Sequence, residues 1–190
     1  YYPDKIVGRP VVYVVIDVFS RMIVGIHVGF EGPSWVGAMQ ALANAVLDKM
    51  DFCTRYGIVD MDAADWPSIG MPEAILGDRG EMVGEMVETL IQNFSVRVEN
   101  SAPYRADWKG VVEQQFRLLP ARFKAYTPGY IQEDYLQRGG TDYRLDATLN
   151  IDQFTRIMIY CVRYYNTQHQ LKSYNFDPEM IHDKVPAIPV

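Results

Sequence analysis

Residues 11–30 read VVYVVIDVFSRMIVGIHVGF, and the fold turns on how this stretch is interpreted. Val11 to Val18 is an almost unbroken run of apolar, mostly β-branched residues, the pattern of a strand covered on both faces. Phe19-Ser20-Arg21 predicts a tight connection, and Met22 to Phe30 reads as the hairpin partner. Gly32-Pro33 then ends the strand, and Ser34 offers an N-cap to a helix starting at Trp35. Met39, Leu42, Ala43, Val46 and Met50 recur at helical spacing and predict one buried stripe.

Farther along, Glu73 to Asp78 (EAILGD) reads as a short strand ending on a carboxylate. Arg79-Gly80 turns the chain into a helix with Val83, Met86, Val87, Leu90, Ile91 and Phe94 on its inner side. Val96 to Val98 suits another strand. A further helix is expected from Lys109 or Gly110, with Val112, Phe116, Leu119 and Phe123 inward and Pro120 kinking or ending it. Residues 126–150, with Pro128-Gly129 and Gly139-Gly140, predict an irregular insertion, and helical periodicity returns from Ile151 to about Gln168. The segment Asp60 to Gly70 is acidic and punctuated by Pro and Gly, and is expected to be a solvated loop. Hairpin, helix, strand, helix, strand, helix, helix gives an α/β chain with a mixed sheet flanked by helices. The expected organisation is a core over 1–125, the insertion over 126–150, a C-terminal helix over 151–175, and a linker or arm over 176–190.

Composition narrows the class. The chain has 190 residues, 48% hydrophobic and 22% charged, enough to build one substantial core. No apolar run approaches the roughly 20 residues of a membrane span, and no secretory signal is expected within these residues. It opens on Tyr1 rather than Met, as a piece of something longer would. Cys53 and Cys161 lie far apart, without metal-ligand or redox spacing, and read as reduced, mostly buried thiols. The net charge of −6 argues against a generic polyanion-binding surface. Its distribution is uneven: eleven acidic residues face three basic ones from Glu31 to Glu88, whereas six basic residues face three acidic ones from Arg97 to Lys124.

Two carboxylates stand out. Asp78 ends an apolar strand before a glycine, at the rim where α/β sheets collect ligands, although taken alone it reads more readily as a helix N-cap for the segment from Glu81. Glu113 lies in the basic stretch with Lys109 and Arg117 one helical turn away on either side. Spacing alone leaves open a surface ion-pair ladder or a metal ligand flanked by phosphate-holding cations.

The combined pattern resembles a known family. Pro103-Tyr104-Arg105-Ala106-Asp107-Trp108-Lys109-Gly110-Val111-Val112-Glu113 is similar to the P-Y-x5-G-x-V-E stretch of retroviral integrases and related transposases. Asp78-Arg79-Gly80 resembles their D-x-G motif, and the 35 positions from Asp78 to Glu113 match the separation of their last two acidic residues. Ile16-Asp17-Val18-Phe19-Ser20-Arg21 with Ile23-Val24-Gly25 resembles their I-D-x-F-S-R-x-I-x-G hairpin, and Tyr165-Asn166 with His169 their Y-N-x-x-H segment. Ile6-Val7-Gly8-Arg9-Pro10, Glu31-Gly32-Pro33-Ser34-Trp35 and Ala106-Asp107-Trp108-Lys109-Gly110 bring the resemblance nearest to TnsB-type transposases.

This resemblance implies a ribonuclease-H-like fold with a DDE site. Three carboxylates would hold two divalent ions, Mg²⁺ or Mn²⁺, for hydrolysis at transposon 3′ ends and transfer of the 3′-OH into target DNA. Asp78 and Glu113 match the second and third acidic residues, as catalytic groups and metal ligands. Arg105, Lys109 and Arg117 are candidates for DNA phosphate contacts. Implied partners are transposon-end DNA, target DNA, further copies of the chain, an endonuclease subunit and an ATP-dependent regulator, in the bacterial cytoplasm and without a membrane. A retroviral-type integrase or insertion-sequence transposase would share the chemistry, and a non-catalytic scaffold of the same fold is the reading from another class.

The first carboxylate is the difficulty. In the family, three meandering strands precede the first helix, and the first strand bears the catalytic Asp. Counting back from Trp35, Val11 to Val18 is the second strand, so the first strand and its Asp are expected before Tyr1. If that count is wrong, Asp17 is the ligand; otherwise Asp17 braces the hairpin through Ser20 or Arg21.

Overall fold

A computed structural model describes residues 9–32, 34–77, 85–100, 148–171, 174 and 176–189. The hairpin forms as expected. Strand β1 (Val11–Ile16) pairs antiparallel with β2 (Ile23–Gly29), Val12 opposite Val28 and Val14 opposite Ile26. The tight connection contains Arg21 at φ 66°, left-handed backbone that costs a non-glycine residue. Its geometry is held by Arg21 N–H donating to the Asp17 carbonyl at 3.0 Å and Asp17 N–H donating to that of Met22 at 2.9 Å.

Helix α1 (Trp35–Val46) follows, with the Ser34 hydroxyl accepting from the Gly37 N–H at its N-terminus. It lies against one face of the hairpin. A Cβ on Gly25 would sit 2.7 Å from Ala45 N and 2.8 Å from Ala45 Cβ, so only glycine lets helix and strand approach this closely. The Tyr13 hydroxyl accepts from Ser34 N–H at 2.5 Å and ties the same face to the helix start. The opposite face carries Val12, Val14 and Ile16 of β1 with Ile26 and Val28 of β2. These pack with Met158, Ile159, Val162 and Tyr165 of helix α4 (Ile151–Gln168). A strand apolar at every position is thereby explained: one helix covers each face.

The stripe predicted on α1 ran too far. The helix stops at Val46, Asp48 caps a second helix, α2 (Lys49–Arg55), and Met50 belongs to the latter. Ala43 is exposed, while Ala41, Leu42 and Ala45 are buried. The 60–70 segment also departs from a simple solvated loop. Asp62 caps a 3-10 turn (Ala63–Asp65), and Trp66 beyond it is 1% exposed. The Lys49 ammonium donates to the carbonyls of Ala45, Leu47 and Ser68 at 3.0, 2.7 and 2.7 Å. Burial lowers its pKa to about 8, which leaves it charged at neutral pH. Arg163 of α4 reaches Asp60 at 3.1 Å and Asp65 at 2.8 Å, fixing the acidic loop to the helix.

A second, smaller sheet is formed by β3 (Ala74–Gly77) and β4 (Arg97–Asn100), parallel and joined through helix α3 (Glu85–Phe94). Ile91 and Phe94, expected on the inner side of α3, are 46% and 53% exposed. Cys53 and Cys161 are not joined in a disulfide; Cys53 is buried, and burial pushes its pKa up to about 11, which makes it inert at neutral pH. A short helix, α5 (Pro178–His182), lies in the tail, and the Leu171 N–H donates to the Ala187 carbonyl at 2.8 Å. The expected helix from 109 and most of the 126–150 insertion lie outside the described residues.

Candidate functional site

Asp78, Glu113, Arg105, Lys109 and Arg117 all lie outside the described residues. What is described is the frame that leads to the first of them. Strand β3 ends at Gly77, immediately before Asp78, and pairs with β4 from Ala74 opposite Arg97 to Gly77 opposite Asn100. The apolar run Ala-Ile-Leu therefore forms one strand of a parallel pair, whose C-terminal rim is where open α/β sheets gather ligands.

Asp17 is occupied otherwise. Its Oδ2 accepts from the Ser20 N–H at 2.7 Å and from the Ser20 hydroxyl at 2.8 Å, and that hydroxyl in turn accepts from the Met22 N–H at 3.2 Å. The carboxylate braces its own turn, the role set beside metal ligation in the sequence. Among the described residues no group of three His, Cys, Asp or Glu side chains could hold a metal ion.

The Y-N-x-x-H segment has a role that sequence reading missed. The Tyr165 hydroxyl donates to the Arg21 carbonyl at 3.2 Å, and the Asn166 amide both accepts from Ile23 N–H and donates to the Ile23 carbonyl, at 3.0 and 3.1 Å. His169 stacks on Tyr165 with ring centroids 5.0 Å apart and caps the helix. Two motifs 143 positions apart therefore interlock, one fastening the turn of the other. The signal available in the sequence was a polar Asn on the apolar stripe of α4, a position that requires a hydrogen-bond partner. His27 is structural, its pKa lowered by burial against a smaller opposing effect of Glu31.

Between the two sheets lies a cleft of about 680 Å³. Its walls are Tyr13 to Val18 on one side and Ala74 to Gly77 on the other, and α1 contributes Ala38, Ala41, Leu42 and Ala45. Arg21, Arg97, Asp17 and Glu99 bring charge to its margin, with Arg97 and Glu99 paired at 3.2 Å.

A layered α/β chain with a short parallel strand pair belongs to a class with many activities, and the comparisons narrow it. Residues 1–129 match the family model described as the TnsB C-terminal domain, and the chain belongs to that family. It is 46% identical over 188 residues to the Escherichia coli protein named transposon Tn7 transposition protein TnsB, covering 98% of this chain and 26% of that protein. It is 22% identical over 129 residues to the Staphylococcus aureus transposase for transposon Tn552, covering 67% of this chain and 24% of that one. The chain thus spans about a quarter of the length of these curated relatives. Among solved structures, a chain from a simian T-cell lymphotropic virus intasome, in complex with PP2A regulatory subunit B56 gamma, aligns with TM-score 0.49 at 14% identity. That alignment covers 94% of this chain and 51% of that one, a likeness too slight to fix the fold. No helix among the described residues is long and apolar enough to cross a membrane.

Proposed function

We propose that this chain is part of the catalytic domain of a DDE-type DNA transposase with a ribonuclease-H-like sheet. Asp78 and Glu113 supply two of its metal-binding carboxylates. The observation that carries the reading is the ending of β3 at Gly77, one residue before Asp78, within a parallel pair. It is supported by membership of the TnsB C-terminal domain family and by the transposition roles in the names of both relatives. The 35-position spacing to Glu113 adds the third acidic residue of the motif.

The donor chemistry fits Mg²⁺. Carboxylate oxygens are hard ligands of the kind a near-octahedral ion prefers. Two such ions, when bound, stabilise the attacking and leaving oxygens of an in-line displacement at phosphorus. The protein's own part is positional. Strand β3 of the parallel pair ends one residue before Asp78, and the Asp17–Ser20 turn, clamped by Tyr165 and Asn166, stiffens the neighbouring sheet. Arg105, Lys109 and Arg117 hold DNA phosphates, which adds affinity without reading sequence. Substrates are transposon-end DNA and target DNA. Further copies of the chain, an endonuclease subunit and an ATP-dependent regulator complete the assembly.

The test is strand transfer by the full-length protein. Asp78→Asn keeps the size of the side chain and removes its charge. It is expected to lower strand transfer by ~10²–10³-fold, the scale of losing a preorganised charge-stabilising group, with the fold and DNA binding retained. Full activity in that variant would leave the non-catalytic scaffold as the correct reading.

A further inference from the structure

The chain passes from the long hairpin and its helices to β3 through residues 66–73. Trp66 is anchored in the main core. Beyond it the Ser68 hydroxyl donates to the Val24 carbonyl of β2 at 3.1 Å, and the Gly70 N–H donates to the Val46 carbonyl at the end of α1 at 3.0 Å. Gly70 holds φ 109°, a left-handed conformation that turns the chain toward β3 at Ala74.

Lys49 joins these points. A helix ends on carbonyls that lack partners within it, and α1 carries no basic residue in its last turn. The Lys49 ammonium supplies the cation from beyond that end, donating to the Ala45 and Leu47 carbonyls, while Gly70 serves Val46 between them. Its third N–H goes to the Ser68 carbonyl, so all three donors are spent. The Trp66 ring lies 5.8 Å from Nζ, within range of a cation–π attraction. The residue is 1% exposed. Burying an ammonium is costly, whereas water could satisfy helix-end carbonyls at the surface cheaply. Helix capping alone therefore does not account for it. The end of α1 is itself immobilised, seated on β2 where Gly25 meets Ala45.

We propose that Lys49 is a positioning residue: its ammonium pins the 66–73 connection to the end of α1 and so sets where β3 begins and where Asp78, one residue past β3, is held. The part played by Asp78 rests on the proposed catalytic reading; the pin does not. The three carbonyls call for a cation with directed N–H groups, which an uncharged side chain of equal volume cannot replace.

The test uses the full-length protein. Lys49→Met keeps most of the side-chain volume and removes the donors. Amides of Gly70 and of Arg97, which donates to Glu73 at the start of β3, are expected to exchange at least ~10-fold faster than in the wild type, with those of Ile23 and Ile26 unchanged. Strand transfer at saturating DNA is expected to fall by ~10–100-fold with DNA affinity retained, the scale of a small misplacement. Lys49→Ala lacks the atoms of n-propylammonium, and that ion, but not n-propanol, is expected to restore slow exchange at Gly70. If Lys49→Met does not fold, refolding of Lys49→Ala by propylammonium but not by propanol carries the same decision. Wild-type exchange at Gly70 and Arg97 in Lys49→Met would overturn the pin, as would equal rescue by both additives or by neither. Faster exchange with undiminished strand transfer would overturn the positioning role. Full activity in Asp78→Asn, with exchange in Lys49→Met still accelerated, would remove the catalytic reading alone and uphold the pin.

Discussion

The β1–β2 sheet and the β3–β4 sheet are built to different standards. The first has strands of six and seven residues and a helix on each face, and its β2 edge is closed by Asn44 and Asn166. The second has two strands of four residues, and at its margin an ion pair of side chains 70% and 48% exposed. The lesson is a division of labour. The long hairpin is scaffold, over-determined by buried apolar contacts and internally satisfied polar groups. The short parallel pair is the less enclosed of the two, its strands ending at Gly77 and Asn100.

That contrast sets the order of expected effects on stability. Asn166→Leu should cost the most, about 3 kcal/mol, because it leaves the Ile23 N–H and carbonyl buried without partners. Chemical denaturation of the variant measures it, and a loss below about 1 kcal/mol would mean that the scaffold edge is not held as described. The next effect is a pH dependence. Burial holds His27 below the ordinary histidine pKa, so its neutral form is favoured in the folded chain. Its contribution is fully present above the unfolded value near 6.5 and is lost as pH falls through the folded one. Melting temperature against pH should therefore decline on the acid side, and His27→Gln should flatten the decline. Arg97→Ala in the second sheet should cost least, within about 0.5 kcal/mol, since the ion pair it breaks is exposed and screened.

Much of the scaffold was legible because periodicity reports local structure. The hairpin, the Ser34 cap, and α4 from Ile151 to Gln168 could be read from spacing alone. What failed was tertiary. Met50 satisfied the α1 stripe by spacing, yet the chain breaks at Leu47 so that Lys49 can reach three carbonyls. The acidic 60–70 segment looked solvated because its composition is polar, but Trp66 is driven inward and Arg163 collects two of its aspartates. Ile91 and Phe94 have the spacing of an inner face and remain exposed on α3. At the site, Asp17 was left between two roles, and the Ser20 hydrogen bonds favour the structural one. Asp78 and Glu113 were legible only as a motif, because no local period links two residues 35 positions apart.

The central claim is that Asp78 and Glu113 share divalent metal, and metal titration addresses it most directly. Mn²⁺ binding to the full-length protein, followed by electron paramagnetic resonance, should show sites that are weakened at least ~10-fold by either Asp78→Asn or Glu113→Gln, each of which removes one charged ligand. Unchanged Mn²⁺ affinity in both variants would contradict it.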